Sequence, residues 1–345
     1  MKDIINIDEI FKLAFQNHQQ NNFNQAENHY KNILKFNPLH FKTIFLLGTL
    51  YAQIKKFNLS LELLKQAIEI QPKNADAHNN LGNVYKELED YKGAINSYEK
   101  VIKINPNFIQ AVNNLGILYF DLNEFKKAIN CFKKVLLIDP NFKDAHNNLG
   151  LIFKELGDLK MAKGYFEKAI TINPNYDNAY NNLGLVYREM KEEKKEIQCY
   201  QKAIKIKFNN ADAHYNLAVV HQGLGKLEIA KVLYSKAAEF EPENLIHYYH
   251  LTDLNNGILN EKLKASIAEK MLNKNLQKKS LAYGNFLMSR YESNNKNYEN
   301  EIQYLKKGHD LFFQAKNNKF RNKINYWLEE LPNLLNKINI NKTSN

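Results

Sequence analysis

The sequence predicts an all-α solenoid of stacked helical hairpins, and three observations carry that prediction. Pro38, Pro72, Pro106, Pro140 and Pro174 stand 34 residues apart, Phe208 takes the next place and Pro242 resumes the lattice. Gly48, Gly82, Gly116, Gly150 and Gly184 keep the same period, with Ala14 and Ala218 at the flanking equivalents. Tyr51, Tyr85, Tyr119, Phe153 and Tyr187 follow each glycine by three residues, and Ala26, Ala94, Ala128, Ala162 and Ala230 follow the small residue of their own units by twelve. A fixed period of this length marks a stack of equivalent units, none of which buries its apolar face alone.

Each position has a physical reason. The glycine or alanine lets the first helix of a unit lie close against the second, and the later alanine does the same from the other side. Tyr98, Phe132, Phe166, Tyr200 and Tyr234 fill the space between, and proline ends the second helix because it cannot continue the hydrogen-bond ladder. Between Pro106 and Pro140, Leu115, Leu118, Tyr119 and Leu122 recur at helical spacing and give the first helix one apolar stripe. The pattern resembles the tetratricopeptide repeat, whose signature is Leu-Gly, an aromatic, Ala-x3-aromatic and Pro. The resemblance covers residues 8–245 in about seven units, at 8–41, 42–75, 76–109, 110–143, 144–177, 178–211 and 212–245. It implies a right-handed superhelix with the first helices lining an inner groove.

Two units depart from the pattern. The sixth has Glu193 and Glu196 where the others carry an apolar and a small residue, and lacks its proline; the seventh has Ala218 for Gly and His221 for Tyr. Looser packing or a bend is expected near 190–225. After 245 the period is lost but helical patterning continues over 246–257, 260–274, 278–294, 297–315 and 318–338. This stretch, 246–338, reads as degenerate units that cap the array, followed by a disordered tail at 339–345.

Composition sets the outer bounds. The chain has 345 residues, 44% apolar and 25% charged, as expected of a globular protein. It has no apolar run long enough to span a membrane, and the start Met1-Lys2-Asp3-Ile4-Ile5-Asn6 lacks the stretch of a signal peptide. A cytoplasmic location is expected, without membrane contact. The net charge of +11 comes from 45 Lys and only 3 Arg beside 51 Asn, so nucleic acid is not the expected partner. Cys131 and Cys199 occupy equivalent places two repeats apart, too far for a disulfide, and are expected to be reduced and buried.

The candidate site is a ladder of carboxamides. Two residues before each small residue stand Asn80, Asn114, Asn148, Asn182 and Asn216, preceded by Asn79, Asn113, Asn147, Asn181 and Tyr215. Each carboxamide offers two donors and two lone pairs, so a row in register can bond the backbone of an extended peptide. The repeats most resemble those of O-linked N-acetylglucosamine transferase, where an asparagine ladder holds extended peptide; the resemblance implies the same use here. The first two units have Lys12 and Leu46 at the ladder position, so the polar track is expected to begin near residue 76.

Asp76, Gln110, Asp144, Asn178 and Asp212 precede the ladder by one turn, and Glu87, Asp121, Glu155 and Glu189 follow it by two, with Lys86, Lys154 and Arg188 beside the second row. The expected ligand is a protein or extended peptide, neutral to basic. A clamp for a terminal carboxylate, which chaperone-adaptor repeats build from Lys and Arg, has Asn and Asp here and is not expected. His78, His146 and His214 stand where the repeat consensus has Trp and read as packing residues; His247 and His250 lack an evident third metal ligand. No glycine-rich phosphate loop and no catalytic constellation is present, so no cofactor, metal or activity is expected. The run Leu281-Ala282-Tyr283-Gly284-Asn285-Phe286 through Gly308-His309 resembles the connector of bacterial tetratricopeptide-sulfotransferase fusions. That implies the alternative: the substrate-recognition part of a sulfotransferase, or a glycosyltransferase, whose catalytic domain is absent from this chain.

Overall fold

The computed structural model describes residues 6–273 and 276–325. It divides into two compact units, Met1–Pro140 and Asn141–Asn345. The first holds four hairpins: α1 (Ile7–Gln19) with α2 (Phe23–Phe36), α3 (Phe41–Gln53) with α4 (Phe57–Ile70), α5 (Ala75–Glu87) with α6 (Tyr91–Ile104), and α7 (Ile109–Asp121) with α8 (Phe125–Ile138). The second continues with α9 (Lys143–Leu156) and α10 (Leu159–Ile172), α11 (Asp177–Glu189) and α12 (Glu193–Ile206), and α13 (Ala211–Gly223) and α14 (Leu227–Phe240). Then come α15 (Leu245–Leu254), α16 (Glu261–Met271), α17 (Lys278–Asn294) and α18 (Tyr298–Asn325). The described residues are all-α, as the period predicts.

Local chemistry sets the helix ends. The side chains of Asn74, Asp90, Asp158 and Asn210 accept from backbone N–H groups three residues on, at 2.9–3.0 Å, capping α5, α6, α10 and α13. Every turn inside a hairpin carries one left-handed residue at the same 34-residue period: Asn21, Lys55, Glu89, Asn123, Gly157, Lys191 and Gly225. The next residue's N–H then returns to a carbonyl five back, as Lys56 does to Tyr51 at 2.8 Å and Glu192 to Tyr187 at 2.9 Å, which closes the helix. Only two of these seven turns use glycine, so Lys191→Gly is expected to stabilise the chain by about 0.5–1 kcal/mol, read as a higher urea midpoint.

In the α3–α4 hairpin Leu64 of the second helix lies over Gly48 of the first, and in the four hairpins that follow an aromatic ring takes the place of that leucine. Tyr98, Phe132, Phe166 and Tyr200 are fully buried, and a Cβ placed on Gly82, Gly116, Gly150 or Gly184 would lie 2.4–2.9 Å from their rings. Only glycine admits that approach in these four hairpins. Within each unit, neighbouring first helices touch, as α3, α5 and α7 do, and as α9, α11 and α13 do; the second helices approach one another less. Each unit therefore curves with its first helices inside.

Several expectations need correction. Cys131 is only half-buried, while Cys199 is buried as expected; burial pushes their thiols up to about 11 and about 12, so both stay protonated. The helices expected at 297–315 and 318–338 are one through Asn325, because no proline or glycine interrupts 309–325. The rest of that second helix and the tail at 339–345 lie outside the described residues. The α17–α18 pair is a hairpin with the usual left-handed turn, at Lys296, but its close contact is reversed: Gly308 lies on the second helix under Phe286 of the first.

The sixth hairpin bears the cost of its unusual residues. Glu196 takes the alanine place and is 4% exposed; its buried Oε1 and the buried Tyr200 hydroxyl interact with each other but form no well-aligned hydrogen bond. The tyrosines at the equivalent place find partners on their own first helix, Tyr98 in Asn83 and Tyr234 in Gln222, both at 2.7 Å. The missing proline is replaced by ring packing: Phe208 sits 5.9 Å from His214 and 5.5 Å from Phe240.

Candidate functional site

The ladder residues lie on the first helices, and within each unit several of them are wired to the preceding repeat. Asn182 Nδ2 donates to Asn147 Oδ1 at 3.0 Å, and Asn216 Nδ2 to Asn181 Oδ1 at 2.9 Å. Asn114 Nδ2 donates to Asn83 Oδ1 at 3.1 Å and, more weakly, to Asn79 Oδ1 at 3.5 Å. Asn80 Nδ2 reaches Thr49 Oγ1 at 3.1 Å. The second asparagine of one repeat thus braces the preceding repeat, most often across 35 residues, and part of the ladder's donor capacity is used inside the fold.

What remains differs along the row. Asn80, Asn114, Asn148 and Asn182 stay half-buried. Asn147, Asn181 and Asn216 are 6–7% exposed, while Asn79 and Asn113 are intermediate. Tyr215 is half-buried among rings, 5.7 Å from Tyr234, 5.3 Å from His247 and 5.4 Å from His250; burial pushes its phenol up to about 12, which keeps it a donor. One period beyond Asn216 the ladder place is held by His250, so the row passes from carboxamides to an aromatic cluster that also includes Tyr249 and Tyr283.

The polar track begins earlier than residue 76. His18 Nε2 donates to Gln53 Oε1 at 2.9 Å, again across 35 residues, while the Tyr30 hydroxyl donates to His18 Nδ1 at 3.3 Å. Thr49, His18 and Gln53 border a recess of about 560 Å³ with Phe15, Phe23 and Leu46. A second recess, of about 370 Å³, is shared by Thr49, Gln53, Asn80 and Asn83. The sequence reading missed this part because its residues follow the small residue instead of preceding it.

The acidic row is partly neutralised from within. Lys86 Nζ lies 3.0 Å from Asp121, and Lys154 Nζ lies 3.4 Å from Glu155 and 4.0 Å from Glu189. Arg188 directs its charge toward Glu196. Asp144 accepts from the Tyr176 hydroxyl at 2.7 Å and pairs with Lys143 at 2.9 Å. His78 Nε2 donates to the Pro72 carbonyl at 3.0 Å and His214 Nδ1 to the Asn210 carbonyl at 2.9 Å, so these two hold turns and packing. Among the described residues no group of three His, Cys, Asp or Glu could hold a metal ion, and no helix is long and apolar enough to cross a membrane.

Burial lowers the affinity of His214, His247 and His250 for a proton. The sign follows from linkage: the unfolded chain protonates first as pH falls below the ordinary imidazole value of about 6.5, so stability present above that pH is lost below it. Glu196, whose affinity for a proton burial raises, acts in the opposite sense over the window just above the ordinary carboxylate range. Thermal melts should therefore shift downward from pH 7.5 to 5.5, and by less in His250→Asn. A flat profile would contradict the buried neutral imidazoles.

Comparison with known proteins bears on the same repeats. Models described as tetratricopeptide repeat match residues 75–108 and 144–176, and residues 165–198; one described as TPR repeat matches 48–89, 118–157 and 197–225. Among solved structures, the chain is similar to a tetratricopeptide repeat protein from Parabacteroides merdae, 20% identical over 72% of this chain and 98% of that one, with a TM-score of 0.62. PilF of Pseudomonas aeruginosa is 20% identical over 62% and 97%, TM-score 0.53. The APC/C hetero-tetramer Cut9-Hcn1 is 16% identical over 73% of this chain and 50% of that one, TM-score 0.57. At these identities the likeness is one of fold. No curated protein matches the sequence.

Proposed function

We propose that this all-α array of tetratricopeptide repeats is a scaffold that holds an extended peptide along its inner face through the backbone. A tetratricopeptide scaffold suits protein and peptide binding in general; the asparagine ladder is the finer reading. The observation that supports it is the half-buried asparagine on successive first helices within each unit, Asn80 and Asn114 in the first and Asn148 and Asn182 in the second. Where Asn80, Asn114 and Asn182 spend one N–H on the preceding repeat, the side chain is held in one orientation, which lowers the entropy lost on binding. Asn80 and Asn182 each keep a second N–H and the carbonyl oxygen for a ligand, while Asn114, which donates to both Asn83 and Asn79, keeps its carbonyl oxygen.

The uncovered part of the acidic row suits a neutral to basic peptide better than an acidic one. The helices after 245 read as a cap, since α17 and α18 close on each other as a hairpin. The transferase-associated alternative rests on sequence resemblance alone and is not adopted.

The test is capture from a library of extended peptides by the full chain and by the triple variant Asn114→Ala, Asn148→Ala, Asn182→Ala. Retention by the full chain and loss in the variant is the expected result. Equal retention would remove the ladder from the account.

A further inference from the structure

We propose that the recess between α3 and α5 is a specificity pocket for a lysine or arginine side chain of the bound peptide. The inference rests on the groove reading above and adds a side-chain preference to it.

Of the four acids in the row, Asp121, Glu155 and Glu189 each meet a lysine inside the fold and Glu87 does not. Lys86 pairs with Asp121 and Lys154 reaches Glu189, each acid lying 35 residues after its lysine. Counting 35 back from Glu87 gives Ala52, which has no charge to offer. Glu87 accordingly has no ion pair among the described residues. The space that a lysine at 52 would fill is open: a recess of about 370 Å³ bordered by Ala52, Phe57 and Val84 on its apolar side, with Glu87 at the rim. Asn80 and Asn83 line it as well, so it adjoins the ladder.

This combination matches the amphipathic build of a basic side chain. Its methylene stem packs against Phe57, Val84 and Ala52, while its head meets the Glu87 carboxylate and the carboxamide oxygens. An external cation thereby completes in this repeat the pair that Lys86 and Lys154 complete internally in later ones. Lys55 is the one cation on the border; it stands exposed at the left-handed turn after α3 and forms no ion pair with Glu87. Its charge tempers the pocket's field.

A fluorescent positional-scanning library of short extended peptides, titrated against the full chain, gives the test. One position should favour lysine or arginine over norleucine by about fivefold, the magnitude of a partly exposed ion pair. Glu87→Gln and Ala52→Lys, each in partly or fully exposed surroundings, should both flatten that preference while leaving overall library binding in place, and Lys55→Gln should sharpen it. Library binding with no basic preference, or a preference that survives both Glu87→Gln and Ala52→Lys, would overturn the pocket and leave the groove standing. Absence of library binding would overturn the groove and the pocket with it.

Discussion

Replacing Phe166 with alanine should destabilise the chain by about 3–5 kcal/mol, the cost of removing a fully buried aromatic side chain and leaving a cavity. Phe166 projects from α10 across Gly150 of α9, and a Cβ on that glycine would lie 2.6 Å from its ring. The cavity opens within a closely packed hairpin, in which Leu149, Ile152 and Ala162 are fully buried as well. Gly150→Ala should cost about 1–3 kcal/mol for the opposite reason, since the ring must move to admit the methyl group. The two are coupled: in the double variant the methyl enters the space the ring has left, so its cost falls short of the sum. Urea unfolding followed by circular dichroism measures all three. Additive costs, or a loss below about 1 kcal/mol for Phe166→Ala, would contradict the close approach of ring and glycine.

The triple replacement of Asn114, Asn148 and Asn182 by alanine should weaken peptide affinity about a hundredfold, from roughly 1 kcal/mol for each backbone bond lost. A carboxamide row read from sequence alone suggests that such a variant melts like the parent. The structure changes that expectation. Asn182 supplies the donor for Asn147 Oδ1, and Asn147 is 6% exposed, so Asn182→Ala leaves a buried acceptor unpaired at a cost of about 1–3 kcal/mol. Binding and stability can be separated by removing both members, as Asn147→Leu with Asn182→Leu. Replacing both partners with apolar groups is close to neutral for stability, while the ladder remains broken for a ligand. Recovery of stability with no recovery of affinity is the expected outcome.

The hairpins, their small residue and ring, and the ladder positions are legible in the sequence because a 34-residue period states each of them several times. What was not legible is whatever depends on relations between repeats. That Asn182 bonds Asn147 follows from the offset between α11 and α9, which no spacing within one repeat reveals. The early part of the polar track was hidden because His18 and Gln53 follow the small residue of their units, where the pattern places no asparagine. The place of Ala52 opposite Glu87 is equally a relation between repeats, visible only once Lys86 is seen on Asp121. The sequence analysis divides the long α18 at Lys316-Asn317, where the helical pattern weakens, but a residue of weak helix preference such as Asn317 lies within a helix when nothing stronger interrupts it.

The central claim is that the ladder reads backbone and not side chains, and modifying the backbone of a bound peptide tests it most directly. A peptide selected by the full chain would be prepared with single N-methyl groups along its length, and in parallel with single alanine replacements, and each form titrated by fluorescence anisotropy. N-methylation at alternating positions over the stretch that binds the ladder should weaken binding about fivefold or more per site, while alanine replacements there change it little. Tolerance of N-methylation throughout, with affinity lost instead at particular side chains, would contradict the account.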